Sequence, residues 1–105
     1  MRLITKESIQ AFNNGLNFKK SNMEIKVISL ESGIPCQVQM FYQGNMIAER
    51  HTNKRTNKLY ISNCGWFSNT TKERLNALNG VSLYQKNFIW YLNGEAWDGE
   101  IIEIK

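Results

Sequence analysis

The 105-residue sequence predicts an α+β fold: two short helices and a mainly antiparallel sheet of about six to seven short strands, in the order α-ββββ-α-ββ(β). Three observations carry this. Two segments have helical start and stop signals. Most other apolar residues alternate with polar ones, the period of a half-buried strand. The connections are too short for parallel crossovers, which need about a dozen residues or more. The length fits a single globular domain over 1–105. Hydrophobic content of 42% and charged content of 21% are ordinary, which excludes disorder, collagen, a coiled coil and a disulfide scaffold.

The first helix is expected over 5–14, with Thr5 as N-cap, Glu7 in the first turn and Gly15 at the left-handed C′ position. Ile4 and Ile9 have hydrophobic-staple spacing, and Ile9 and Phe12 share a face that docks on a sheet. A strand covers 23–30, its alternation slipping near Ser29 as a bulge requires. After a turn at 31–35, Cys36, Val38, Met40 and Tyr42 alternate with Gln37, Gln39, Phe41 and Gln43, giving a strand with one polar face. Gly44-Asn45 turns the chain into a strand at 46–51. A basic loop at 52–57 leads to a short strand at 59–62. The second helix runs over about 71–78. Thr70 and Glu73 have capping-box spacing, Leu75 and Leu78 form the apolar edge, and Asn79-Gly80 ends the helix. Segments 81–86 and 88–93 form a hairpin around Lys86-Asn87, and 100–104 is an edge strand. The segment 88–92 is apolar on both faces, so it lies centrally or meets a partner, and Tyr84, Phe88, Trp90 and Tyr91 are assigned to core or sheet face.

The net charge of +4 averages two unlike parts. Residues 1–93 carry 12 basic and 5 acidic side chains, whereas 94–105 carry 1 and 4. An anionic partner would therefore meet the basic body, and the acidic end protects an edge strand. Lys72 and Arg74 lie in or just after the expected first turn of the second helix, where the dipole disfavours cations. An anion there reverses the sign. Thr70, Thr71, Lys72 and Arg74 are thus the candidate phosphate ligands, with Trp66 upstream to stack on a base and Phe67 beside it. Arg50, Lys54, Arg55 and Lys58 concentrate charge between two strands and would steer a polyanion. Lys19-Lys20 adds a smaller patch.

The sequence has no Gly-rich phosphate loop, no paired Cys/His metal spacing and no nucleophile elbow. No metal or other cofactor is expected. Cys36 and Cys64 read as reduced packing cysteines, and a Cys64–His51 dyad is the enzymatic alternative. No apolar run reaches membrane-spanning length or resembles a secretory signal, so a cytoplasmic protein that does not engage membranes is expected.

Gly44-Asn45-Met46-Ile47-Ala48, Ile61-Ser62-Asn63-Cys64-Gly65-Trp66, Thr70-Thr71-Lys72-Glu73-Arg74-Leu75-Asn76 and Trp90-Tyr91-Leu92-Asn93-Gly94 resemble small accessory proteins of tailed bacteriophages and prophages, over about residues 5–98. The resemblance implies a protein made in the infected host's cytoplasm. It also implies counter-defence by binding a protein, a nucleic acid or a nucleotide signal. The leading expectation is a non-enzymatic binding protein for a phosphate-bearing ligand, either nucleic acid or nucleotide. The alternative is an inhibitor docking on a host protein through a sheet edge or aromatic face, and the third is a small enzyme using Cys64 and His51. Homo-oligomerisation is compatible with each.

Overall fold

The computed structural model describes residues 2–33, 35–52 and 57–105. Helix α1 (Leu3–Asn14) begins earlier than a Thr5 cap allows. Arg2 is the N-cap residue, in extended conformation and without a side-chain capping bond. Thr5 is fully buried inside the helix, because its hydroxyl has stronger partners across the fold: it donates to Glu73 Oε1 and accepts from Arg74 Nη1. Glu7 therefore falls beyond the first turn and pairs with Lys20 at 2.9 Å. Gly15 takes the expected left-handed position, φ +66°, its N–H donating to the Ala11 carbonyl. Thr5, Ser8, Ala11 and Phe12 form the buried face, flanked by Ile4 and Ile9.

Strands β1 (Phe18–Lys20), β2 (Met23–Ser29), β3 (Pro35–Tyr42), β4 (Asn45–Thr52) and β5 (Asn57–Ile61) precede helix α2 (Asn69–Asn76). Strands β6 (Leu83–Lys86), β7 (Ile89–Leu92), β8 (Glu95–Ala96) and β9 (Ile102–Ile104) follow it. They form a large sheet in the order β1-β2-β3-β4-β5-β9 and a small sheet β6-β7-β8, antiparallel throughout. The α+β expectation holds. Strand β1 is an addition: its three residues offer too little alternation to read as a strand, and it exists by pairing with β2.

The register of β2 slips between Ile28 and Ser29, where the alternation breaks. A second irregularity, between Met40 and Phe41 on β3, lets adjacent Ile47 and Ala48 of β4 both reach the core. The β3–β4 turn is Gln43-Gly44, both with positive φ (50° and 81°), one residue earlier than expected, so Asn45 already belongs to β4. The large sheet packs one face on α1 through Phe12, Met23, Ile25, Val38 and Met40. Each such fully buried side chain contributes about 1.5–3 kcal/mol. Gln37, Gln39, Glu49 and His51 lie half-buried on the other face.

Helix α2 also starts early. Ser68 is its N-cap and accepts from the Thr71 N–H at 3.1 Å, displacing the expected Thr70–Glu73 box. Glu73 is drawn away by Thr5 and Arg74, which leaves Ser68 as the group free to satisfy the helix start. Leu75 and Leu78 are buried as expected. Strand β7 is central in the small sheet, with Trp90 and Leu92 buried inward. The hairpin turn is Asn87-Phe88 (φ 53° and 67°), so Phe88 stands 95% exposed at the tip and is neither core nor sheet face. Strand β9 is an edge strand as expected.

Candidate functional site

The frame shift of α2 rearranges its basic residues. Arg74 lies in the last turn, where the helix dipole favours a cation, and is 2% exposed. Its Nη1 donates to Thr5 Oγ1 at 2.6 Å and pairs with Glu73, while its guanidinium carbon stands 5.8 Å from the Tyr42 ring centroid. Thr71 is fully buried with its hydroxyl on Ser68 Oγ at 2.9 Å. Both side chains face inward, so the expected placement of Arg74 near the first turn is corrected. Lys72 lies over the Trp90 ring at 5.7 Å, Thr70 is half-buried and Trp66 is 49% exposed. Phe67 meets Trp90 edge-on at 5.2 Å. The four candidate phosphate ligands do not converge on one outward-facing point.

The steering group is divided as well. Lys54 and Arg55 lie outside the described residues. Lys58 pairs in register with His51, whereas Arg50 pairs with Leu59, and successive strand residues point to opposite faces. Arg50 thus lies on the helix-covered side. Its guanidinium carbon is 4.4 Å from the Phe12 ring centroid, Nη1 donates to the Phe12 carbonyl at 3.4 Å and Nη2 to Asn13 Oδ1 at 3.0 Å. It closes the C-terminus of α1, whose dipole supplies about half an elementary negative charge. Among the described residues no carboxylate pairs with Arg50, and its hydrogen bonds go to the neutral oxygens of Phe12 and Asn13. Burial pushes its guanidinium below the ordinary value, a measure of that desolvation.

Arg50 lines a cleft of about 500 Å³ with Asn13, Asn57, Leu59, Leu78, Asn79, Gly80, Ile104 and Lys105. The cleft joins the end of α1, β5, the segment after α2 and β9. Leu59, Leu78 and Ile104 supply apolar surface, three asparagines supply paired donors and acceptors, Arg50 supplies a fixed positive charge, and Lys105 lies at the wall. Among the described residues no acidic side chain lines it. Of these residues, sequence reasoning marks only Arg50 as a binding candidate, and Leu78, Asn79 and Gly80 only as parts of a helix and its end. The others come from four distant segments that only the topology brings together, and no local spacing signals them.

The Cys64–His51 dyad does not form. The Cys64 thiol donates to the Met46 carbonyl at one end of β4, and His51 lies five residues along that strand, about 16 Å away. His51 pairs with Glu49, meets Tyr60 edge-on at 5.4 Å and lies within 3.3 Å of Gln37 Nε2, on the polar sheet face. Among the described residues, no group of three or more His, Cys, Asp or Glu gathers as a metal site. Nor is any helix among them long and apolar enough to cross a membrane.

Comparison with curated proteins and with solved structures returns no match. A family model, by contrast, matches residues 1–103, nearly the whole chain and all the elements that build the Arg50 cleft except its Ile104 and Lys105 wall. The chain belongs to the Kyanoviridae Gp96 protein family, a family of phage proteins.

Proposed function

We propose that this phage protein is a non-enzymatic binding protein that holds a small phosphate-bearing ligand of nucleotide size in the Arg50 cleft. One observation carries the reading: a half-buried guanidinium, fixed by Phe12 and Asn13 and, among the described residues, lacking a carboxylate partner and lining a cleft with no acidic side chain. A fixed, partly desolvated cation binds an anion more strongly than a solvated one, because its desolvation cost is already met by the fold. The cleft volume falls within the ~300–1,000 Å³ typical of small-molecule sites. Its apolar patch suits a flat ring and its carboxamides suit ring heteroatoms.

Isothermal titration with AMP, GMP, CMP and UMP tests this, with adenosine and inorganic phosphate as controls. At least one mononucleotide should bind saturably, and better than adenosine or phosphate. Losing one charge-assisted hydrogen bond costs about 1.5–3 kcal/mol, so Arg50→Gln should weaken binding more than tenfold. Arg50 also closes α1, so Lys105→Gln serves as a second variant that leaves the helix untouched and should weaken binding severalfold. No saturable heat with any mononucleotide at millimolar concentration sinks the reading. So does equal affinity in both variants, or binding only of long single-stranded DNA with steep salt dependence.

A further inference from the structure

We propose that the outward face of the small sheet is the interface of a two-fold symmetric homodimer. Leu83, Trp90 and Leu92 point inward and are buried, so Tyr84, Tyr91 and Ala96 form one outward row. Tyr84 and Tyr91 are cross-strand partners with stacked rings, 5.1 Å apart and 11° from parallel. In the next outward row Lys86 pairs with Ile89 across β6 and β7. Asp98 lies on the other side of Ile89, which with Ala96, Trp97 and Asp98 lines a shallow hollow of about 360 Å³. Tyr84 and Ile89 are each 47% exposed. This face is therefore apolar along its middle, with a cation at one edge and an anion at the other. Neither Lys86 nor Asp98 has an ion-pair partner among the described residues.

That layout is self-complementary. Beyond β8 the Trp97 N–H still donates to the Trp90 carbonyl at 2.8 Å, so the chain stays alongside β7 and Asp98 flanks the central strand on the side opposite Lys86. A two-fold axis parallel to β7 lays β6 of one protomer over β8 of the other. Lys86 then faces Asp98 twice, and the tyrosine row of one copy meets that of its partner. The same axis brings both hairpin tips to one end of the interface. There Phe88, 95% exposed and with φ +67°, occupies the second position of a two-residue turn that ordinarily favours glycine. In a lone protomer it contributes strain and exposed apolar area. In the dimer the two rings close the end of the contact. Three strands of two to four residues, rising ~3.3 Å per residue and ~5 Å apart, present roughly 200 Å², well under the ~800 Å² per partner of a standard stable interface, so the dimer is a weak one.

Sedimentation equilibrium from low micromolar to millimolar protein tests this. Self-association to a dimer is expected. Lys86→Glu and Asp98→Lys should each weaken it about tenfold, and the double variant should recover most of the loss. Asp98 Oδ1 also accepts the Glu100 N–H at 3.0 Å, so Tm is measured in parallel to separate local damage from lost pairing. Phe88→Gly should raise Tm by a few degrees at low concentration while weakening association. A monomer at every concentration overturns the proposal. It is equally overturned by a dimer that ignores both charge reversals, or by a double variant no better than the singles at unchanged Tm.

Discussion

Arg74→Ala is expected to lower the unfolding free energy by about 3 kcal/mol, since removing one partner of a buried ion pair typically costs about 3–5 kcal/mol. Arg74 is 2% exposed and ties α2 to α1 through Thr5. The low end applies because the Glu73 side chain is 30% exposed and regains water once its partner is gone. Arg74→Met keeps most of the volume and removes the charge, and should cost less. Among the described residues no acceptor meets the buried Arg74 Nε, so the pair is not fully satisfied, and pairing Arg74→Met with Glu73→Gln should recover part of the loss. Burial raises the Glu73 carboxyl, but the Thr5 hydroxyl, Arg74 and Arg2 together hold it below the ordinary carboxylate value. A folded-state pKa below the unfolded one stabilises fully above the unfolded value of about 4.3 and is lost as pH falls through the folded value. Denaturant unfolding at neutral and acid pH checks both points. Wild type should lose stability on acidification more steeply than Glu73→Gln. A loss below about 1 kcal/mol in Arg74→Ala would show that the contact is no more than a surface pair.

The strand pattern was legible where burial is one-sided. In β3 the alternation of Val38, Met40 and Tyr42 with glutamines matches their burial residue for residue, and the slip near Ser29 marks a real register shift. What failed was the choice among competing polar groups. Thr5 and Thr70 both have the chemistry of an N-cap, but capping loses to tertiary contacts from residues some 70 positions away, which local spacing does not report. Phe88 was misread for a related reason. Hydrophobicity ordinarily signals burial, and a phenylalanine at an exposed turn tip breaks that rule.

The candidate site was less legible than the fold. The basic start of α2 looked anomalous only because its cap was placed two residues late. With Ser68 as cap, Arg74 moves to the favoured end of the helix and the anomaly disappears. Arg50 enters the sequence reading as one of several cations clustered along the chain, through its neighbours in sequence. Its neighbours in space are Phe12, Asn13 and the cleft. Charge density along a chain is informative on a loop, where side chains share one environment. Along a strand it is not, because consecutive residues such as Arg50 and His51 face opposite sides of the sheet.

Gly99→Ala should be more damaging still. The carbonyl of Gly99 accepts from the Asn63 N–H at 3.1 Å and from Ser62 Oγ at 3.0 Å, latching the C-terminal segment to the end of β5. A Cβ at Gly99 would fall well inside contact distance of the Asn63 carboxamide. Asn63 has little room to yield: it is 1% exposed, and its Oδ1 holds the Gly65 N–H at 2.9 Å in a turn where Cys64 and Gly65 both have positive φ. The φ of +90° adds strain of about 1–3 kcal/mol. Pulling the Asn63 Oδ1 away from the Gly65 N–H adds about 1–3 kcal/mol more. The sum is a large share of the ~5–15 kcal/mol that holds an ordinary domain together. Where the variant still folds, the latch should open first. Amide exchange in β9 should then accelerate before that in β3 or β4, and mononucleotide binding should weaken because Ile104 and Lys105 wall the cleft. Gly94→Ala is the internal control. Its φ is also +90°, but among the described residues nothing beyond its chain neighbours lies within 4 Å of the added carbon, so backbone strain dominates. The difference in Tm between the two variants isolates the Asn63 contact. Equal losses would mean that Asn63 moves aside freely and that the latch is not what fixes β9 against β5.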